Sequence, residues 1–595
     1  MTTDGVIVER DVWIPMRDGV RLQADVWRPA TPGRYPVLLQ RTPYNRADSF
    51  AVIVNAGIEP LRAVSEGFVV VIQDTRGRFG SEGVFDPFKN EAADGFDTIE
   101  WLATQSYSNG RVGMYGASYY AATQLLAATA NPPALRAIAP QATASDYHDD
   151  WTYRGGALQL GFTLYWALGL AGAEAQRRRA AGENVDALET ELQKLSADPW
   201  AAYRARPLAS LEALGALLPA WNDWLGHPAR DDFWRSISIA EQFTHIDVPA
   251  LHIGGWFDIF LHGTLANYRG LASRPDASQQ RLVIGPWAHA VAYDALGEVE
   301  YGASASAAAL DLTRLQLDWF AGFLKPNETR IASAPVRVFM MGENAWRDED
   351  AWPPTRARKQ LLYLGGSDVP DVRFTGELSG DFPEASQSAT YTFNPNDPVP
   401  TTGGATFLPG AYVGLHSGQR DQSAVEQRAD VLSYTTATLG HDLELCGPVS
   451  ATVWASTSAD DTDWTAKLVD VHPDGRALNV CDGIIRARYA NGSEAEEFVP
   501  SGTVRAYRID LGATAITIGS GHALRLEISS SNFPRFDVNP GYRGDVASAT
   551  ADDFVVATQQ VFHGGAYPSH LELTVVGENQ PRPSANTGVQ HVTHR

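Results

Sequence analysis

The sequence predicts an α/β domain that is interrupted by a helical insertion and followed by an antiparallel β domain. Three observations carry this reading. From Val6 to about Ile138, short β-rich runs alternate with stretches of helical spacing, the pattern of a sheet covered by helices. From Asp146 to His245 strand signals vanish and Ala, Leu, Trp and Arg dominate. After Trp352-Pro353-Pro354 the chain turns to Gly, Thr, Ser and Asp between short, regularly spaced β-rich runs.

In chain order, VWIPMRDGVRLQADVWRP reads as a hairpin turning at Asp18-Gly19, and YPVLLQRTPY, FVVVIQDTRG, RVGMYGAS and LRAIAPQAT follow as strands. Between them ADGFDTIEWLATQ and YYAATQLLAATA carry apolar residues at helical spacing. The insertion holds GALQLGFTLYWALGLAGAEAQRRRAAG and NVDALETELQKLS, both helical in pattern. The α/β alternation resumes with VPALHIGGWFD, the helical LHGTLANYRGLAS, the strand RLVIGPWAHA, the helix ALDLTRLQLDWFAGFLK and the strand APVRVFMMG. In the last region LELCGPVSATVWAST, TAKLVDVHPDG, GTVRAYRIDL and HALRLEISSS argue for a sandwich or jelly roll. The chain therefore divides into an α/β domain in two parts (1–145 and 246–352), a helical cap (146–245), a β domain (353–582) and a polar tail (583–595). Three domains fall within the range that roughly 150 residues per domain allows.

The charge excludes some functions. Against 70 Asp and Glu stand 47 Lys and Arg, a net −23, and no basic cluster exists to neutralise phosphates or to dock on anionic lipid. With 44% hydrophobic residues and 16 Trp the chain is globular rather than disordered. Cys446 and Cys481 cannot form a disulfide framework, show no zinc-ligand spacing and are expected as buried thiols. The start MTTDGVIVERDVWIPMRDG has no basic stretch followed by an apolar one, and no apolar run reaches the roughly 18 residues of a membrane span, so a cytoplasmic protein is expected.

The chemistry concentrates in GMYGASYY. Ser118 sits between the apolar run Val112 to Tyr115 and a helix, on a sharp strand-to-helix turn beside N–H groups that stabilise negative charge. The motif is G-x-S-x-Y, and an N-capping serine is its plainer reading. A serine nucleophile needs a base and an acid to orient that base, which in the α/β-hydrolase arrangement follow in the order Ser, acid, His. GGWFD ends in Asp258 and GPWAH in His289, both at carboxyl ends of strands, where active sites of open α/β sheets lie. His252 lies inside an apolar strand and reads as core, while His245 and His262 flank strand and helix without a matching partner. A non-catalytic β-sandwich binding protein on a dead scaffold is the reading from another class, and the complete Ser118, Asp258 and His289 set opposes it.

Nearly the whole chain resembles the cocaine esterase-like hydrolases, which share their architecture with X-Pro dipeptidyl peptidases and α-amino acid ester hydrolases. PMRDGVRL, RTPYN, QDTRGRFGSEG, GASYYAATQ, GGWFD, GPWAH, WRDEDAWP, DTDWTAKLVDVHPDGRA and SSSNFPRFD carry the resemblance. It implies an α/β-hydrolase fold with an inserted helical cap and a C-terminal jelly roll. It further implies Ser118 as nucleophile, Asp258 as orienting acid, His289 as general base, and an oxyanion hole made by the Tyr44 hydroxyl and the Tyr119 N–H. A carboxylic ester would be cleaved through an acyl-enzyme, with no metal or organic cofactor called for. The partner is a small-molecule ester, and a homodimer is the family expectation.

Trp151, Trp166, Phe260, Phe407 and Leu408 resemble that family's aromatic acyl pocket, which suits bulky aryl or hydrophobic acyl groups; Trp151 and Trp166 read equally well as cap core. The competitor within the family recognises a substrate amine with buried carboxylates. Asp146, Asp149 and Asp150 in SDYHDDW offer one arm of such a cluster or a merely solvated surface. The resemblance to α-amino acid ester hydrolases implies further acids just after the catalytic Asp as the second arm, and here Ile259, Phe260 and Leu261 follow Asp258, which weighs against an α-amino acid ester hydrolase or X-Pro dipeptidyl peptidase.

Overall fold

Strands such as Val69–Asp74 and Ala250–Phe257 are buried at every position, so they can only lie in a sheet covered on both faces. The computed structural model describes residues 2–3, 5–48, 57–274, 279–289, 292–326, 333–366, 374–408 and 416–577; the polar tail expected at 583–595 lies outside the described residues. The first sheet runs in the order Thr2–Thr3, Val6–Pro15, Arg21–Pro29, Val69–Asp74, Tyr35–Thr42, Ser108–Ala117, Leu135–Gln141, Ala250–Phe257, Gln280–Ala288, Val336–Met340, Ala345–Glu349. From Val69–Asp74 to Val336–Met340 neighbouring strands are parallel. The hairpin expected at Asp18-Gly19 forms the antiparallel edge, with Ile14 opposite Leu22.

Alternate side chains feed two cores, as the two-residue strand period requires. Leu39, Val71, Met114 and Ile138 pack with Ile99, Leu102 and Leu125 of helices Glu91–Ala103 and Tyr119–Thr129. Leu38, Val70, Ile72 and Ile253 face the other way, onto Leu317, Phe320 and Leu324 of helix Leu312–Leu324. Strand Tyr35–Thr42 is followed in the chain by its neighbour on one side and then by its neighbour on the other. This reversal opens a crevice at the carboxyl ends of Tyr35–Thr42 and Ser108–Ala117, which brings Tyr44 and Ser118 side by side.

The cap is helical, with Leu160–Ala180 as its longest element, but it also contains a two-residue hairpin that the composition does not signal. Tyr153–Arg154 pairs with Ala157–Leu158 because Gly155 and Gly156 take φ of 53° and 79°, and Arg486 of the β domain donates its N–H to the Gly155 carbonyl. The β domain is antiparallel except where Thr375–Ser379 pairs with Leu432–Thr435. Its long strand Leu443–Thr457 pairs along one edge with Arg505–Ile518 and along the other with both His570–Val576 and Ala557–His563, so the sheet branches there. Of the two free thiols, Cys446 is buried, whereas Cys481 is only half-buried, because it borders a cavity of about 30 Å³ shared with Asp258 and His262. No helix among the described residues is long and apolar enough to cross a membrane.

Buried charge joins the three domains. Arg486 holds Asp463 through two nitrogens and reaches Asp537, whose carboxylate accepts the Leu158 N–H of the cap. His262, unpartnered in the sequence reading, is the second joint: its Nδ1 meets Asp150 of the cap and its Nε2 lies 3.3 Å from Asp510 of the β domain. Sequence could not pair it, since both acids are far away along the chain. Desolvation and the nearby Arg154 pull the imidazolium toward deprotonation, but the two carboxylates win and lift its pKa from 6.5 to about 9. A group whose folded pKa is raised contributes stability fully below its unfolded pKa and loses it as pH climbs through the folded one. The joint is thus intact below pH 6.5 and lost as pH passes about 9. His262→Gln is expected to lower the thermal midpoint at neutral pH and to flatten its alkaline decline, the two proteins converging above that range; parallel declines would contradict the joint.

Candidate active site

Ser118 ends the strand Ser108–Ala117 and caps the helix Tyr119–Thr129 with φ 61° and ψ −126°. A non-glycine residue holds such a conformation only when its surroundings fix it. They do: the Ser118 N–H donates to the carbonyls of Gln141 and Ala142, and Gln124 Nε2 donates to the carbonyl of Gly116, two residues before Ser118. Gly116, at φ 127°, is needed because a Cβ there would come within 2.6 Å of the Tyr120 Cβ. Tyr119 opens the helix, so its N–H is one of the first-turn donors without an intrahelical carbonyl partner. The Tyr119 side chain is a strut, donating to Glu91 Oε1 at 2.9 Å while Arg41 pairs with Glu91 behind it.

Asp258 and His289 follow the adjacent strands Ala250–Phe257 and Gln280–Ala288. His289 Nδ1 lies 3.2 and 3.3 Å from the two Asp258 oxygens, and the Phe260 N–H holds Asp258 Oδ1 at 2.7 Å. With Nδ1 committed to the acid, Nε2 is the nitrogen left to take a proton. His252, by contrast, is a core residue as expected, 1% exposed and hydrogen-bonded to Gln280, with desolvation lowering its pKa to about 4.

The Tyr44 hydroxyl interacts with the Ser118 side chain and accepts the Trp166 indole N–H at 2.9 Å. Desolvation raises its pKa above the usual phenol value, against the opposing pull of Trp166, Arg78 and Ser118, so Tyr44 stays a neutral O–H donor at neutral pH. Two features here were not legible in the sequence. Trp166 is a cap residue of the pocket and also the donor that occupies a Tyr44 lone pair, leaving the phenolic hydrogen to point elsewhere. Arg78 is buried and its guanidinium donates to two carbonyls, Pro43 beside Tyr44 and Leu170 one turn after Trp166. Desolvation drops its pKa to about 10, so it remains a cation next to the site.

Four of the five expected pocket residues join one aromatic group, which reaches His289 through Phe260 and Phe407. Trp151 stacks on Phe260 with ring centroids 4.2 Å apart and meets Trp166 edge-on at 5.1 Å. Phe260 and Phe407 each pack 5.1 Å from the His289 ring, and Leu408 presses on Gly161 of the cap. Phe88, Tyr147 and Phe162 complete the aromatic group.

Of the acids of SDYHDDW, Asp146 and Asp150 are buried and Asp149 is partly exposed, and all three have partners. Asp146 is held by Arg230, Ser238 and the His148 and Asp149 N–H groups, Asp150 by His262 and the Ser145 and Asp146 N–H groups, and Asp149 by His148 and Ser493. The cap needs their charge to fix the turn that enters it.

The X-Pro dipeptidyl-peptidase (S15 family) model matches residues 18–291, and the X-Pro dipeptidyl-peptidase C-terminal non-catalytic domain model matches residues 329–572. Cocaine esterase of Rhodococcus sp. (strain MB1 Bresler) is 37% identical over 575 residues, which cover 96% of this chain and 98% of the relative. The chain belongs to this family of serine ester hydrolases. Two solved structures of the family's architecture align with a TM-score of 0.81 and 27% identity. One is an aminopeptidase from a marine sediment archaeon, Thaumarchaeota archaeon, covering 96% of this chain and 97% of that one; the other is a selenomethionine-labelled α-amino acid ester hydrolase, covering 97% and 98%.

Tyr44→Phe keeps the edge-on contact with Tyr120 and deletes the hydroxyl. If that hydroxyl stabilises an oxyanion, steady-state ester hydrolysis should lose about 100- to 1000-fold in kcat with little change in KM. Trp166→Phe, which removes only the N–H donor to Tyr44, should lose less.

Proposed function

We propose that this chain hydrolyses small-molecule carboxylic esters with bulky, apolar acyl groups through an acyl-enzyme on Ser118. The observation that carries the reading is the strained Ser118 at the sheet's crevice, with the Tyr44 hydroxyl against its side chain and the His289–Asp258 pair after the second and third parallel strands along the sheet. Ser118 Oγ attacks the ester carbon while His289 Nε2 takes its proton, and Asp258 stabilises the imidazolium that forms. The Tyr44 O–H and the Tyr119 N–H hold the tetrahedral oxyanion. His289 then returns the proton to the leaving alkoxide, and water, activated by the same nitrogen, releases the acid.

The aromatic walls supplied by Trp151, Trp166, Phe260 and Phe407 support an apolar acyl group. An enzyme selecting a substrate ammonium would need a free carboxylate, and Asp146, Asp149 and Asp150 are already partnered. We place the enzyme in the cytoplasm, a reading supported by two unpaired thiols.

Turnover of p-nitrophenyl butyrate and of an α-amino acid p-nitrophenyl ester tests the proposal. Butyrate is expected to be the better substrate by kcat/KM, and Ser118→Ala should lower its kcat by about 10⁴-fold or more. Unchanged turnover in Ser118→Ala would reject the nucleophile, and strong preference for the free amine would reject the acyl specificity.

A further inference from the structure

Two histidines and a carboxylate meet at one end of the β domain. Strands Asp463–Val471 and Ala523–Ser529 pair antiparallel, with Asp470 opposite Leu524 and Val471 opposite Ala523. Carrying that register one step further sets His472 opposite His522, and the two-residue period puts Asp470 on the same face as His472. The sequence therefore delivers an Asp-x-His pair from one strand and a His from its neighbour to a single patch.

The donor atoms converge. His522 Nδ1 lies 2.7 Å from Asp470 Oδ1, His472 Nε2 lies 3.4 Å from Asp470 Oδ2, and the two rings have centroids 4.3 Å apart. Ligands about 2.0–2.1 Å from a tetrahedral zinc ion stand about 3.3–3.4 Å from one another, so small side-chain adjustments suffice to admit the ion. Backbone hydrogen bonds fix both histidines in place. His472 donates its N–H to the Arg476 carbonyl and accepts from Gly475, while His522 donates to Gly519 and its carbonyl accepts from Leu439. The nearby Arg476 cation is held by Asp474. Asp470 is 7% exposed while the histidines are 21% and 19% exposed, so the patch is anchored below and open to solvent above.

We propose that Asp470, His472 and His522 form a binding site for a divalent first-row transition metal, zinc in kind, with water completing the coordination. Two imidazoles and one carboxylate suit zinc, nickel or copper better than calcium or magnesium. The site lies at the far end of a nine-residue strand from Asp463, which joins the cap through Arg486, a span of about 26 Å at about 3.3 Å per residue. Its role is to tie the turn after Val471 to the neighbouring strand, apart from ester chemistry.

Titration calorimetry of metal-stripped full-length protein with zinc sulfate should show one saturable equivalent, and cobalt should give the absorption bands of a tetrahedral site. Magnesium should bind negligibly. In the double variant His472→Asn, His522→Asn the affinity should fall about 100-fold or more, while ester turnover and the zinc-free melting midpoint stay as in the native protein; His522→Asn alone serves if the double variant does not fold. Absence of saturable zinc binding by the native chain, or equal affinity in a folded variant, would overturn the site.

Discussion

The reversal of the chain at Ser118 is the constraint on which the rest of the site depends. A serine at φ 61° and ψ −126° stores about 1–3 kcal/mol of backbone strain, and it does so at the point where the strand must end and the helix begin. Sheet and helix each supply part of the compensation: carbonyls of Gln141 and Ala142 from the neighbouring strand and its loop, and the Gln124 side chain from the helix. Because Ser118 cannot relax, its side chain stays above the sheet and the Tyr119 N–H stays at the helix start. Tyr44 needs no strain of its own, since the reversal in strand order already sets it beside Ser118.

Around this elbow, polar burial is used to hold elements and domains together rather than to do chemistry. Glu91 ties Tyr119 to Arg41, Asp150 ties the cap to His262, and Arg486 ties the β domain to the cap through Asp537. Breaking one partner of such a pair leaves a buried charge uncompensated, at a cost of about 3–5 kcal/mol, which is why each acts as a joint rather than as decoration. The aromatic group is the counterpart to these joints. Trp151 and Trp166 come from the cap, Phe260 from the hydrolase domain and Phe407 from the β domain, so the wall exists only when all three are docked.

The strands, the cap and the order Ser118, Asp258, His289 were legible because they are local: a buried strand, a glycine-flanked turn and a strand-ending acid each show within a dozen residues. The family resemblance added Tyr44 and the pocket, which local pattern alone reads as packing. What remained hidden depends on partners distant in the chain. Nothing near His262 in sequence announces Asp150 or Asp510, and nothing near Arg78 announces that its guanidinium donates to the carbonyls of Pro43 and Leu170, beside Tyr44 and Trp166. The acids of SDYHDDW were ambiguous for the same reason, since their occupants Arg230, Ser238 and His262 arrive from the far end of the cap and beyond it. The short Tyr153–Leu158 hairpin escaped because two glycines in a helix-rich segment give a turn without a strand signature.

The central claim is that Ser118 carries the acyl group while Tyr44 and the Tyr119 amide hold the oxyanion. A crystal structure of the native protein with phenylboronic acid tests it most directly. Boron is expected on Ser118 Oγ, with one boronate oxygen within hydrogen-bond distance of both the Tyr44 hydroxyl and the Tyr119 N–H and the phenyl ring against Trp151, Trp166 and Phe260. Boron on another side chain, or a boronate oxygen turned away from Tyr44, would contradict it.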